Sequence, residues 1–72
     1  MTCYFRHLTR IFQEAGIEVT KENRHEIDKI IHEIVGVKYK NCPETWRGVK
    51  KKTATDEKGF ISELRESCRK RL

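Results

Sequence analysis

A chain of 72 residues carrying 16 Lys and Arg against 11 Asp and Glu reads as one small domain of net charge +5. A domain of this size buries only about 60% of the surface its unfolded chain exposes, so the core is thin and there is little wall to enclose a deep catalytic cavity. Binding is favoured over catalysis, and the positive charge suits nucleic acid, anionic lipid or acidic protein without choosing among them.

Tyr4, Phe5, Leu8, Ile11, Phe12 and Ala15 fall on one helical stripe, with Arg6, Arg10 and Gln13 opposite. The spacing predicts a first helix over residues 2–15, stopped by Gly16 in a left-handed conformation. Ile17, Glu18 and Val19 alternate but are too few for a sheet of their own, so they read as an extended connector with its apolar side chains tucked against the core.

Thr20 to Gly36 is the most strongly patterned stretch, and the other segments are expected to pack around it. Ile27, Ile30, Ile31 and Ile34 recur at the i, i+3, i+4, i+7 spacing of one helix face. Arg24, His25, Asp28, Lys29, His32 and Glu33 fall off that stripe and read as a solvated side, with Asp28 and His32 an i, i+4 pair. Thr20 is one candidate cap. Asn23, with Glu26 three residues on as in a capping box, is the other.

Val37 to Asn41 alternates without a partner of matching length and reads as a loop. Pro43 suits a first helical position, so Cys42 or Asn41 would cap a third helix through Lys52, with Trp46 and Val49 inward. Gly48 weakens that helix by about 1 kcal/mol relative to alanine. Thr53 to Asp56 forms a polar break, and Phe60, Ile61, Leu64 and Cys68 define a fourth helix running into Arg69, Lys70 and Arg71, cations suited to a helix C-terminus. The fold predicted is all-α: a compact bundle of three or four short helices, the second packed on the first and fourth and the third across one end. The alternative is α+β, with residues 17–19 and 37–39 paired as a two-stranded ribbon.

Charge is uneven. Residues 37–52 hold Lys38, Lys40, Arg47, Lys50, Lys51 and Lys52 against Glu44 alone. With Tyr39 beside them, Lys38, Lys40, Arg47, Lys50 and Lys51 form a candidate nucleic-acid surface, in which lysines pair with phosphates and the ring stacks on a base. Few side chains there can read base edges, so little sequence preference is expected. The plainer reading is a solvated lysine face that keeps a small protein soluble.

Cys42, at a helix N-terminus near Lys38 and Lys40, is where a thiolate would be stabilised, which leaves a thiol- or metal-dependent activity open. Cys3 and His7 lie one turn apart and would need Cys42 and Cys68 to complete four metal ligands, but the close cysteine pairs of familiar zinc sites are lacking. His25 and His32 stand seven apart, which is not the spacing of a His-Glu-x-x-His site. No catalytic residue, metal or cofactor is therefore assigned. The chain is read as a non-enzymatic binding module, with protein interaction through a helical surface as the alternative.

No apolar run approaches the roughly 20 residues of a membrane span. The opening residues lack the basic start and apolar block of a secretory signal, and three widely spaced cysteines fit reduced thiols, so a cytoplasmic chain without a membrane partner is expected. Ile17-Glu-Val-Thr-Lys-Glu-Asn23 together with Val35-Gly-Val-Lys-Tyr-Lys-Asn-Cys-Pro-Glu-Thr-Trp-Arg47 resembles small uncharacterised archaeal proteins. The resemblance covers residues 17–47 and implies no active site.

Overall fold

The computed structural model describes residues 4–71. A 3-10 turn, Phe5–Leu8, leads into α1, Thr9–Ala15; α2 spans Arg24–Ile34 and α3 spans Cys42–Arg71. No strand occurs among the described residues, so the all-α class holds and the 17–19 and 37–39 segments are connectors.

The expected first helix is thus a tight turn followed by two turns of α-helix, and its start at residue 2 lies outside the described residues. Gly16 ends α1 at φ 71°, with the Ile17 amide donating to the Phe12 carbonyl and the Gly16 amide to Gln13. Gly36 ends α2 in the same way at φ 72°, the Val37 amide reaching the His32 carbonyl. Both are left-handed caps that a side chain would strain. At the start of α2 the two rival caps act together. The Thr20 amide donates to Asn23 Oδ1 at 2.7 Å, and the Asn23 amide to Thr20 Oγ1 at 3.2 Å. That is a reciprocal capping box, and it leaves Glu26 available for an ion pair elsewhere.

Helix α3 is the expected third and fourth helices joined end to end, and its interruption falls at the last residue of the expected Thr53–Asp56 break. Thr53, Ala54 and Thr55 do not interrupt it, because the Thr53 and Thr55 hydroxyls turn back onto the Lys50, Lys51 and Lys52 carbonyls. The break comes at Asp56 alone, φ −155° and ψ 73°, whose Oδ1 accepts the Gly59 amide at 3.0 Å and so caps the second limb. A straight 30-residue helix would run about 45 Å. The longest dimension of the molecule is 27 Å, so the break folds the two limbs back into one body.

The element around which the chain is built is therefore α3 rather than α2. Both α1 and α2 lie against α3, and no Cα of one comes within 8 Å of a Cα of the other. Side chains from all three and from the 3-10 turn meet in one core: Leu8, then Ile11 and Phe12, then Ile27, Ile30 and Ile31, then Val49, Phe60, Ile61 and Leu64. Each of these large side chains contributes about 1.5–3 kcal/mol by leaving water. Gly48 sits where α3 crosses the end of α2, and a Cβ there would stand 2.9 Å from Val35 Cβ. The glycine that weakens the helix locally is what lets it approach.

Candidate nucleic-acid interface

Three supports place the segment that precedes α3. The Asn41 amide donates to His32 Nε2 at 3.0 Å, Asn41 Oδ1 accepts from the Glu44 amide, and the Asn41 carbonyl accepts both the amide and the hydroxyl of Thr45. Asn41 is thus the cap of α3, with Cys42 the first helical residue and Pro43 the second. Because His32 Nε2 accepts, its proton lies on Nδ1, which donates to the Asp28 carbonyl at 2.7 Å and stands 3.3 Å from Asp28 Oδ1. The Tyr4 hydroxyl donates to that same carboxylate.

Asp28 and His32 are accordingly buried, at 5% and 0% exposure, and do not belong to a solvated face. The correction has a physical cause: Tyr4 and the returning loop cover the flank of α2 beside its isoleucines, and each buried polar atom there finds a partner. His25, on the same side of α2, stays exposed, with Nδ1 3.1 Å from the Tyr39 hydroxyl.

Tyr39 is half-buried, its ring edge-to-face with His32 at 4.8 Å and with His25 at 5.5 Å. Desolvation pushes its phenol above the usual range, and the Asp28 carboxylate and Cys42 add to the rise, so the hydroxyl stays protonated. Trp46 is half-buried one turn beyond Cys42. It carries His7 stacked at 5.0 Å, Tyr4 at 6.4 Å and the Lys50 ammonium 5.6 Å from its centre. With these rings engaged by protein neighbours, the surface offers chiefly charge.

The structure brings that charge together in two places. Arg47, Lys50 and Lys51, at i, i+3 and i+4, share the exposed face of the first limb of α3, while Lys52 turns partly inward. Lys38 and Lys40 are exposed on the loop at the head of the same limb. Arg47 is tied to Glu44 at 2.8 Å, whereas no lysine forms an ion pair among the described residues.

The second place is a cleft of about 300 Å³, walled by Lys21, Arg24 and His25 on one side and Tyr39, Lys40 and Cys42 on the other, with Asp28 at its floor. Lys21 and Arg24 could not be placed with the lysine run from sequence, because they lie far from it in the chain. Their nearness to Lys40 arises only when His32 draws the loop back onto α2.

Cys42 and Cys68 line different clefts, and no group of three or more His, Cys, Asp or Glu among the described residues is placed to hold a metal ion. Cys3 lies outside the described residues. Cys68 is buried, and burial raises its thiol, which keeps it protonated and inert. No helix among the described residues is long and apolar enough to cross a membrane. In comparison with known proteins, no family model, curated protein or solved structure matches the chain, and nothing is added to the resemblance over residues 17–47.

Proposed function

We propose that the protein is a non-enzymatic nucleic-acid-binding module that grips phosphates through Lys38, Lys40, Arg47, Lys50 and Lys51, with Tyr39 beside them and little sequence preference. The observation that carries this reading is the uncompensated lysine. Glu14, Glu26, Glu33, Glu44, Glu57 and Glu66 are taken by arginines, and the ammonium groups around the first limb of α3 remain available to a polyanion. Ion pairs to phosphate hold a strand without reading it, and side chains suited to base edges are scarce on this face. A cytoplasmic setting, where nucleic acid is at hand, accords with the reading.

The test is binding of labelled DNA and RNA oligonucleotides across a series of salt concentrations, for the parent and for Lys50→Ala/Lys51→Ala. Affinity should fall steeply with salt, and the double variant should flatten the logarithmic slope by about 2, one for each ammonium–phosphate pair removed, equally for all sequences. A variant that binds as the parent does at every salt concentration would show the lysines to be a solvated face and favour a protein partner.

A thiol-centred role has one observation in its favour: Cys42 opens into the cationic cleft beside Arg24 and Lys40. Fast alkylation of Cys42 at neutral pH, slowed in Arg24→Ala, would speak for it. Labelling at the rate of an ordinary thiol would remove it.

A further inference from the structure

The cleft at the head of α3 holds a concentration of charge that the outer lysine face does not explain. Lys21 and Arg24 reach it from the start of α2, and Lys40 from the loop. None of the three is ion-paired among the described residues. The one carboxylate in the lining, Asp28, is 5% exposed and already accepts from the Tyr4 hydroxyl, with His32 Nδ1 at 3.3 Å. Its Oδ1 is engaged inside the protein, and its single charge offsets only one of the three cations. Three full positive charges against one negative leave an excess of two on a concave surface, where low-dielectric walls focus the potential.

We propose that this cleft binds a dianionic phosphate monoester, with Lys21, Arg24 and Lys40 on the three terminal oxygens. A monoester presents two charges and three unesterified oxygens, which match the excess charge and the number of cationic heads. A backbone diester presents one charge and two such oxygens, and it must run in and out of a space of only about 300 Å³. Inorganic phosphate presents the same dianionic face, and the monoester itself can be a nucleoside monophosphate or the phosphorylated end of a strand. Apart from Lys40 the site is independent of the outer lysine face, and it does not require the nucleic-acid reading to hold.

Amide chemical shifts of the full chain, titrated with sodium phosphate and with sodium chloride at equal ionic strength, test it directly. Phosphate should give saturable shifts confined to residues 21–25 and 39–44, and chloride should not. Arg24→Ala/Lys40→Ala should weaken phosphate by about tenfold. Lys58→Ala/Lys70→Ala removes the same charge from exposed positions on the second limb and should leave phosphate affinity within about twofold. Shifts that spread over the chain, match those of chloride or fall equally in both variants overturn the site.

Two further arms identify the source. Tighter binding of adenosine monophosphate than of phosphate assigns a nucleotide, and tighter binding of a 5′-phosphorylated oligonucleotide than of its 5′-hydroxyl twin assigns a strand end. Equal binding of the two oligonucleotides with no saturable phosphate shift overturns the cleft while the lysine face stands. A saturable phosphate shift without oligonucleotide binding does the reverse.

Discussion

The two limbs of α3 employ their cations differently. In the second limb Arg71 holds Glu26 and Glu33 of α2 at 2.5 and 2.7 Å, while Arg65 donates to the Ala15 and Glu14 carbonyls at the end of α1. Arg10 of α1 answers by reaching Glu57 at 2.8 Å. In the first limb only Arg47 is ion-paired, to a neighbour on its own helix, and Lys50 and Lys51 are exposed. The planar guanidinium fork serves to fasten helices, and the hydrated ammonium is left for a ligand. The second limb is thus the fastened half of the molecule, and the first limb with its loop is the half that presents charge.

The largest expected effect comes from the joint between those halves. His32→Ala empties a fully buried space and leaves the Asn41 amide without its acceptor, which should lower stability by about 3 kcal/mol in urea denaturation. Because the same imidazole draws Lys40 toward Lys21 and Arg24, cleft amide shifts should move with it. A loss below about 1 kcal/mol would mean the loop is held by other contacts.

Gly48→Ala comes next. Helix propensity alone predicts a gain, but Val35 Cβ is fixed to its backbone and cannot yield, so a net loss of about 1 kcal/mol is expected. In a Val35→Gly background, which removes that Cβ, the loss should shrink, and a double-mutant cycle measures the coupling.

Arg71→Ala and Lys70→Ala set the two cation types side by side at adjacent positions. The first frees Glu26 and Glu33 and should lower the urea midpoint modestly, with the difference fading in high salt; the second should leave it unchanged. The same drop in both would erase the distinction between fastening and presenting residues.

The smallest effect concerns acid. Arg10 holds the Glu57 carboxyl below its usual range, chiefly by hydrogen bonding. A carboxylate depressed in the folded state contributes above its unfolded pKa, and that contribution is lost as pH falls through the lower folded value. Stability of the parent relative to Glu57→Gln should therefore be greatest at neutral pH and vanish in strong acid. A difference that grows on acidification would reverse the sign and refute the pairing.

Much of the fold was legible from pattern. Gly16 and Gly36 stop their helices because no other residue takes that backbone conformation as readily, and the apolar spacing of Ile27, Ile30 and Ile31 or of Phe60, Ile61 and Leu64 marks faces that are in fact buried. The break between the two limbs of α3 was legible to within a few residues, but not which of Thr53, Thr55 and Asp56 would make it, since threonine and aspartate are as ready to cap as to sit mid-helix. Only the back-bonding of Thr53 and Thr55 settles which they do. The buried Asp28 and His32 escaped for a related reason: polarity predicts water, and only a tertiary partner such as Tyr4 reverses it. Of the candidate surface, the lysines themselves were readable, whereas the cleft was not, because it joins residues of α2 to a loop that must first fold back.

The separation of cation types extends to reagents that tell amines from guanidines. An acylating agent attacks lysine and spares arginine, so it would strip the presenting charge while leaving the clasps of Arg10, Arg65 and Arg71 in place. Acetylating all nine lysines takes nine charges from +5 and leaves −4. The product should keep its helical spectrum while migrating toward the opposite electrode, a full inversion of electrical character in a molecule whose architecture is untouched.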